Sequence, residues 1–257
     1  MGPSVLKLSG GLSDQPEALD QVAAHIREAD GPVILVHGGG KQIHALSEKL
    51  AVPVRQVAGR RITDAATMDV LMHTVGGSVN RGLVSDLMVR GIDAIGLTGA
   101  DGGLMLGRKR PPLRIDGQEI DFGLVADIEF IRTDLLDTLL NAGLTPVVAC
   151  LAWSPEHGYL NINADTVAIT IAAAVNASAI TFLMEPEAVL DADRKPIAMM
   201  DQARFQAGVD AGWITDGMRP KLETAFKALS TGIAEVRLTN PDGIASGGGT
   251  RITGGKI

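Results

Sequence analysis

The stretch that decides the fold is Val33-Ile34-Leu35-Val36-His37-Gly38-Gly39-Gly40-Lys41. A short apolar run bounded by glycine is typical of a buried strand. Apolar residues then recur at helical spacing at Ile43, Leu46 and Leu50, so the stretch predicts a strand, a glycine turn and a helix. Glycine N–H groups and the positive end of a helix can together bind an anion. A tight turn without a ligand explains the glycine spacing equally well.

The rest of the chain alternates between apolar strands and helical patterns. Further strands are predicted at residues 5–8, 94–98, 145–151, 179–184 and 235–239. Helices are predicted at residues 16–29, 65–75, 78–90, 133–142 and 164–176, with a last one that carries Lys221 and ends near residue 229. This alternation predicts an α/β protein with a central, mainly parallel sheet. Residues 104–125 instead predict antiparallel hairpins laid over that sheet.

The composition argues against several classes of protein. The chain has 257 residues, 21% of them charged and 3% aromatic, with a net charge of −7. Few aromatic residues and a negative charge argue against nucleic-acid binding. No apolar stretch is long enough for a membrane span and no signal peptide is recognisable, so we expect a cytoplasmic protein that binds no membrane. The single cysteine, Cys150, lies in an apolar run and is expected in the core.

Polar residues at the ends of predicted strands indicate a phosphate site. Lys7 lies in a buried strand and needs an anionic partner unless its ammonium group reaches water. Ligands of parallel sheets bind at the carboxyl ends of the strands, where Lys7 and the glycine turn would meet. Asn161 and Asp165 are four residues apart and would face one way, while Lys221 would add a second ammonium group. Phosphoryl transfer needs this positioning and charge neutralisation, although Asp165 as a helix cap and Lys221 as a solvated residue are simpler alternatives.

Eight short motifs occur in an order that resembles the amino-acid kinase family, in particular its acetylglutamate kinases. They are Lys7-Leu8-Ser9-Gly10, His37-Gly38-Gly39-Gly40-Lys41, Gly59-Arg60-Arg61-Ile62-Thr63, Gly96-Leu97-Thr98-Gly99-Ala100-Asp101-Gly102, Asp121-Phe122-Gly123-Leu124-Val125, Asn161-Ile162-Asn163-Ala164-Asp165, Ile214-Thr215-Asp216-Gly217-Met218 with Lys221, and Gly249-Thr250-Arg251-Ile252. Each motif alone is weak, whereas eight in order over essentially the whole chain are specific.

The resemblance implies ATP-dependent phosphorylation of the side-chain carboxylate of N-acetyl-L-glutamate to an acyl phosphate, a step of arginine biosynthesis. It also implies a three-layer αβα sandwich around the mainly parallel sheet. Residues 1–175 would form an N-terminal lobe for acyl-amino-acid binding and dimerisation, and residues 176–257 a C-terminal nucleotide lobe. The hairpins of 104–125 would cover the substrate as a lid. ATP would carry Mg²⁺, held mostly by its phosphate oxygens.

The resemblance further assigns roles to residues of this sequence. The catalytic residues would be Lys7, Asp165 and Lys221, with Asp165 holding the two lysines in place. Substrate would be bound by Gly38, Gly39, Gly40, Arg61 and Asn161. Nucleotide would be bound by Lys7, Ser9, Gly10, Gly11, Glu185, Asp216, Met218 and Lys221. The Arg61 guanidinium would pair with the substrate α-carboxylate, and the protein itself would supply no metal ligand.

Two positions depart from the family pattern. Ser9 stands where acetylglutamate kinases usually have glycine, and Glu185-Pro186-Glu187-Ala188 replaces the usual Asp-Val-x-Gly turn at the nucleotide. Pro186 has no N–H to donate, and Ala188 would be strained if its φ were positive, so we expect altered nucleotide binding. An aminoadipate-type kinase of lysine biosynthesis and a non-catalytic binding or regulatory homologue therefore stay open as alternatives.

Only four residues precede Val5, which predicts a homodimer insensitive to arginine.

Overall fold

The computed structural model describes residues 2–215 and 217–254. The strands are β1 (Ser4–Leu8), β2 (Val33–His37), β3 (Gln56–Val57), β4 (Arg60–Arg61), β5 (Ala94–Leu97), β6 (Met105–Lys109), β7 (Leu113–Ile115), β8 (Gln118–Ile120), β9 (Ala126–Ile131), β10 (Thr145–Ala149), β11 (Leu151–Ser154), β12 (Gly158–Asn161), β13 (Ala179–Leu183), β14 (Met199–Met200), β15 (Glu235–Thr239) and β16 (Thr250–Ile252). The α-helices are α1 (Pro16–Glu28), α2 (Gly40–Lys49), α3 (Ala65–Leu71), α4 (Asn80–Val89), α5 (Thr133–Asn141), α6 (Ala164–Ala174), α7 (Gln202–Asp210), α8 (Arg219–Ser230) and α9 (Pro241–Ser246). A π-helical turn, Met72–Val79, joins α3 to α4 and is called the π segment below.

Eight strands form the central sheet, in the order β14-β16-β15-β13-β1-β2-β10-β5. Neighbouring strands are parallel except β15 with β16. Every residue of β2 and of β10 is buried, as expected for strands covered on both faces. The predicted α/β class with a mainly parallel sheet is therefore confirmed. Because β13 pairs directly with β1, the two predicted lobes share one sheet, and the boundary near residue 175 stays a prediction.

Alternate residues of the central strands supply two separate cores, because side chains of a strand point to opposite faces in turn. Leu6 and Leu8 pack in a cluster with α1, α4 and α9 on one face. Val5 and Val36 pack in a cluster with α6 and α8 on the other. Helices thus cover both faces of the sheet, which completes the predicted αβα sandwich. Lys7 alternates with Leu6 and Leu8, so its side chain lies on the α6 face.

Several elements differ from those predicted. Residues 145–151 are not one strand, because Leu151 begins β11 of a second sheet, ordered β12-β11-β6-β9, and its carbonyl accepts a hydrogen bond from Gly99 N. The helices predicted at 65–75 and 78–90 form one continuous helical run through the π segment. Helix α7 was not predicted, since it buries only Phe205 and Gly208 and shows no clear apolar stripe.

The region 104–125 contains antiparallel strands, but not as one inserted unit. β6 pairs antiparallel with β9, which lies beyond the predicted region, and parallel with β11. β7 and β8 form a separate hairpin. Its turn residues Asp116 and Gly117 both have positive φ, as the Asp-Gly turn predicted. The prediction of hairpins is therefore right for β7 and β8 and wrong for β6, whose partners could not be foreseen from local alternation.

Candidate functional site

Two glycine turns lie side by side at the carboxyl edge of the central sheet. Residues 9–11 follow β1 and residues 38–40 follow β2, and these strands are parallel neighbours. A Cβ atom placed on Gly10 would lie 3.3 Å from Gly40 N, so only glycine fits this approach without a shift. Helix α2 begins at Gly40, and its free N–H groups therefore open at the same place. The prediction that the two strand ends meet is confirmed.

The ammonium group of Lys7 forms an ion pair with a carboxylate in the first turn of α6. Lys7 Nζ lies 2.7 Å from Asp165 Oδ1 and donates a hydrogen bond to Ser9 Oγ at 3.3 Å. Only 13% of the Lys7 side chain and 29% of the Asp165 side chain are exposed. The contact with Asp165 is an ion pair rather than a well-aligned hydrogen bond, because Oδ1 accepts none. Asn163 caps α6 by accepting from Asp165 N at 2.7 Å, which leaves the Asp165 carboxylate free for Lys7.

Arg61 carries a buried nitrogen that lacks a partner. It lies on β4, opposite Gln56 of β3, and its Nη1 is buried and makes no hydrogen bond within the described chain. Burial lowers the pKa of the Arg61 guanidinium, since desolvation disfavours the charged form. A buried unpaired guanidinium nitrogen is costly unless an acceptor completes it. The arrangement therefore suits an anionic ligand such as a carboxylate.

Thr63 connects Arg61 to Asn161. Its hydroxyl accepts from Asn161 Nδ2 at 3.1 Å and approaches Arg61 O at 3.5 Å, and Thr63 is fully buried. Its carbonyl accepts from Leu124 N at 2.7 Å. Gly123 has φ +73°, and a Cβ atom there would collide with Thr63 O. The sequence motifs contained Thr63 and Gly123 without a role for either, because these contacts join segments 60 and 98 residues apart along the chain.

The residues predicted to bind nucleotide come from a separate part of the fold. Lys221 lies in the first turn of α8, and Met218 precedes that helix and packs against the core. Lys221 makes no ion pair or hydrogen bond with Lys7 or Asp165, so Asp165 contacts one of the two predicted lysines in this conformation. Asp216, predicted to bind nucleotide, lies outside the described residues. The roles assigned to these residues stay predictions.

The segment that departs from the family pattern is not strained. The φ of Ala188 is not positive, and Ala188 is buried, so the condition under which strain was expected is not met. Glu185 Oε1 lies 3.6 Å from Lys41 Nζ, and a Cβ atom on Gly11 would lie within 3.1 Å of Glu185 Oε1 and 2.7 Å of Lys41 Nζ. Lys41, which directly follows the three glycines, thus places a cation beside the acidic departure at Glu185. Sequence reasoning missed this pairing.

Cys150 lies close to the Lys7–Asp165 pair but belongs to the core. Cys150 is buried, and burial raises the pKa of its thiol to about 11, so it is a core residue as predicted. Across residues 2–215 and 217–254, no group of three or more His, Cys, Asp or Glu side chains is arranged to hold a metal ion. No helix in the described part of the chain is both long and apolar enough to cross a membrane.

Comparison with known proteins agrees with this geometry. The sequence profile described as "Amino acid kinase family" matches residues 3–240. The chain is 36% identical over 255 residues to an acetylglutamate kinase of Bacteroides fragilis, covering 97% of this chain and 96% of the relative. It is 39% identical over 251 residues to one of Methanopyrus kandleri, covering 96% and 99%. The structure of smu.665 from Streptococcus mutans UA159 superposes with a TM-score of 0.79 at 26% identity, covering 98% of each chain. The chain belongs to the amino acid kinase family.

Proposed function

We propose that this protein transfers the γ-phosphoryl group of ATP to the side-chain carboxylate of N-acetyl-L-glutamate, forming an acyl phosphate and ADP in arginine biosynthesis. The observation that carries the proposal is the Lys7–Asp165 ion pair at 2.7 Å beside two touching glycine turns. The curated relatives at 36% and 39% identity are acetylglutamate kinases over nearly their whole length, which supports this acceptor. Consumption of ATP favours a cytoplasmic location.

The acceptor would be held by residues that already have fixed positions. Arg61 would use its unpaired Nη1 for the α-carboxylate, a planar partner that suits a guanidinium. Asn161, oriented by Thr63, would hydrogen-bond the same molecule. The N–H groups of residues 38–40 would face the reacting carboxylate. An oxygen of that carboxylate would then attack the γ-phosphorus in line while the bond to the β-phosphate oxygen breaks.

Charge on the transferred group would be neutralised by Lys7 and Lys221. Lys7 is oriented by Asp165 and Ser9, so its ammonium group needs no rearrangement to meet phosphate oxygens. Lys221 would come from the start of α8 and stabilise the leaving ADP, together with Met218 and Asp216. Mg²⁺ carried by ATP would supply further charge neutralisation when bound, held mostly by phosphate oxygens.

The reaction is tested by incubating the purified chain with ATP and three acceptor conditions: N-acetyl-L-glutamate, an aminoadipate derivative, and no acceptor. We expect ADP release with N-acetyl-L-glutamate and an acyl phosphate that hydroxylamine converts to a hydroxamate. Preference for the aminoadipate derivative would favour the lysine-biosynthetic alternative. Binding of N-acetyl-L-glutamate without turnover would favour a non-catalytic homologue, the alternative motivated by residues 185–188.

We also propose that the protein is a homodimer. β5 is an edge strand of the central sheet, and edges with unpaired backbone groups favour pairing with a second copy. Beside it, at the end of α4, Met88 is 51% and Val89 82% exposed. Light scattering should give twice the mass of the 26.8 kDa chain. A monomer or hexamer would contradict this proposal.

A further inference from the structure

A buried imidazole lies directly beneath the substrate-binding glycine turn. His37 is 1% exposed, its Nδ1 lies 2.9 Å from Gly38 O, and its Nε2 lies 2.9 Å from Asn80 Nδ2. Because an amide nitrogen can only donate, Nε2 is the acceptor and Nδ1 carries the proton that the Gly38 carbonyl accepts. The ring is therefore neutral, and it ties the first carbonyl of the turn to Asn80.

Every polar atom of the Asn80 side chain makes a hydrogen bond, and these bonds fix its orientation. Its second N–H is donated to Val147 O at 2.9 Å, and its Oδ1 accepts from an Arg81 Nη2 at 2.6 Å. Arg81 also donates to Gly96 O at 3.0 Å. Asn80 is completely buried, and its hydrogen bonds reach β2, β10 and, through Arg81, β5. A fully satisfied buried network has one geometry, so the orientation of the His37 ring is determined.

The π segment supports the next residue of the turn by direct contact. A Cβ atom placed on Gly39 would lie 3.1 Å from Val75 Cγ2 and 3.5 Å from Val79 Cγ2. Gly39 has φ −175°, outside the left-handed region that favours glycine. The two valine contacts leave little space for a side chain at this position. The same helical run thus contacts Gly39 through Val75 and holds Gly38 through Asn80 and His37.

We propose that the π segment and Asn80 form a positioning platform for the glycine turn 38–40, with His37 as the positioning residue that orients the Gly38 peptide. The platform fixes where the N–H groups of the turn point. None of its side chains would touch substrate. This inference rests on the proposed function for its catalytic consequence, since misplacing a binding group by about 1 Å can reduce rate by about a hundredfold. Its structural consequence, an ordered glycine turn, does not depend on which acceptor is used.

The first test compares a variant that removes one of the two His37 hydrogen bonds with a control variant. In His37→Gln, the amide oxygen can replace Nε2 as acceptor for Asn80, while Gly38 O loses its donor. We expect the KM for N-acetyl-L-glutamate to rise about tenfold or more with the KM for ATP nearly unchanged. Leu87→Ala, a buried change two turns along α4 from Asn80 that touches none of the His37 and Asn80 hydrogen bonds, is the control, and it should lower the melting temperature without moving either KM.

The second test is a steric rescue. Gly39→Ala should push the turn away from Val75 and raise the acceptor KM about tenfold, whereas the double variant Gly39→Ala with Val75→Ala should recover most of the loss. Amide hydrogen exchange at Ile43, whose N–H is donated to Gly39 O at 2.8 Å, should be faster in His37→Gln and in Gly39→Ala, and this readout holds even if the parent protein turns over no N-acetyl-L-glutamate. Unchanged exchange in both variants, or no rescue by Val75→Ala, would overturn the platform, whereas inactivity of the parent alone would overturn only the proposed function.

Discussion

Acidification should destabilise this protein through His37. Burial is the main cause that lowers the pKa of the His37 imidazole from 6.5 to about 4, and the nearby Arg81 guanidinium lowers it further, against the raising effect of the Gly38 carbonyl. The ring binds a proton more weakly in the folded chain than in the unfolded chain. The contribution of His37 to the free energy of unfolding is therefore fully present above pH 6.5 and is lost as the pH drops towards about 4. Below that value this group causes no further change.

The size of the effect follows from the two pKa values. A difference between 6.5 and about 4 corresponds to about 3 kcal/mol of unfolding free energy, since one pKa unit is worth about 1.4 kcal/mol. The full conversion is justified because His37 is only 1% exposed, so water screens its charge little. Protonation would also turn Nε2 into a donor facing the Asn80 amide, which breaks the hydrogen bond at 2.9 Å.

Urea unfolding of the parent and of His37→Gln, from about pH 8 to about pH 4, measures the difference. The carboxylates titrate equally in both proteins, so their contribution cancels when the two unfolding free energies are subtracted at each pH. The parent should lose about 3 kcal/mol relative to the variant across this range, while His157→Gln, the same change at an exposed site, should run parallel to the parent. A difference between parent and His37→Gln that stays constant with pH would refute the neutral, buried imidazole and the tautomer inferred from it.

Three further outcomes follow from the contacts of the site. Arg61→Lys should raise the KM for N-acetyl-L-glutamate about tenfold to a hundredfold, because a charge-assisted planar contact worth about 1.5–3 kcal/mol is lost; steady-state kinetics at saturating ATP measure it, and an unchanged KM would exclude Arg61 from acceptor binding. Gly123→Ala should lower the unfolding free energy by about 2 kcal/mol or more, since φ is +73° and the new methyl group would meet Thr63 O; wild-type stability in urea would contradict the tight approach. Lys41→Met should raise the KM for ATP about threefold to tenfold by leaving Glu185 unneutralised, and adding Glu185→Gln should reverse this; independent effects of the two changes would show that the pair at 3.6 Å does not matter for nucleotide binding.

Much of the fold follows from local pattern. β2 could be predicted because its five residues are buried on both faces and read as one apolar run, and the glycines after it mark the turn. The second sheet could not, because β6 joins β9 and β11 through pairings distant in the chain, and local alternation carries no information about partners. The π segment could not be predicted from the sequence either, since the spacing of Val75 and Val79 also fits an ordinary α-helix.

The candidate site shows the same division. Lys7 could be predicted as a site residue because a lysine inside a buried strand demands an anion, and Asp165 supplies it at 2.7 Å. The motifs included Thr63, but its link between Arg61 and Asn161 depends on tertiary contacts. Asn80 gave no signal in the sequence, because it lies inside the predicted helix 78–90, whereas in the structure its side chain is buried and bonds β2 and β10 directly.

In the proposed function, the acceptor and nucleotide sides of the site differ in how they are supported, and residues 185–188 lie on the nucleotide side. On the acceptor side, each contact group rests on a buried residue, Thr63 or His37, so a change there alters stability and KM together. On the nucleotide side, the Lys41 and Glu185 side chains are 67% and 68% exposed, and exposed ion pairs contribute little to folding. We therefore expect substitutions there to change nucleotide affinity with little effect on folding, and a neighbouring cation such as Lys41 to offset part of an added negative charge.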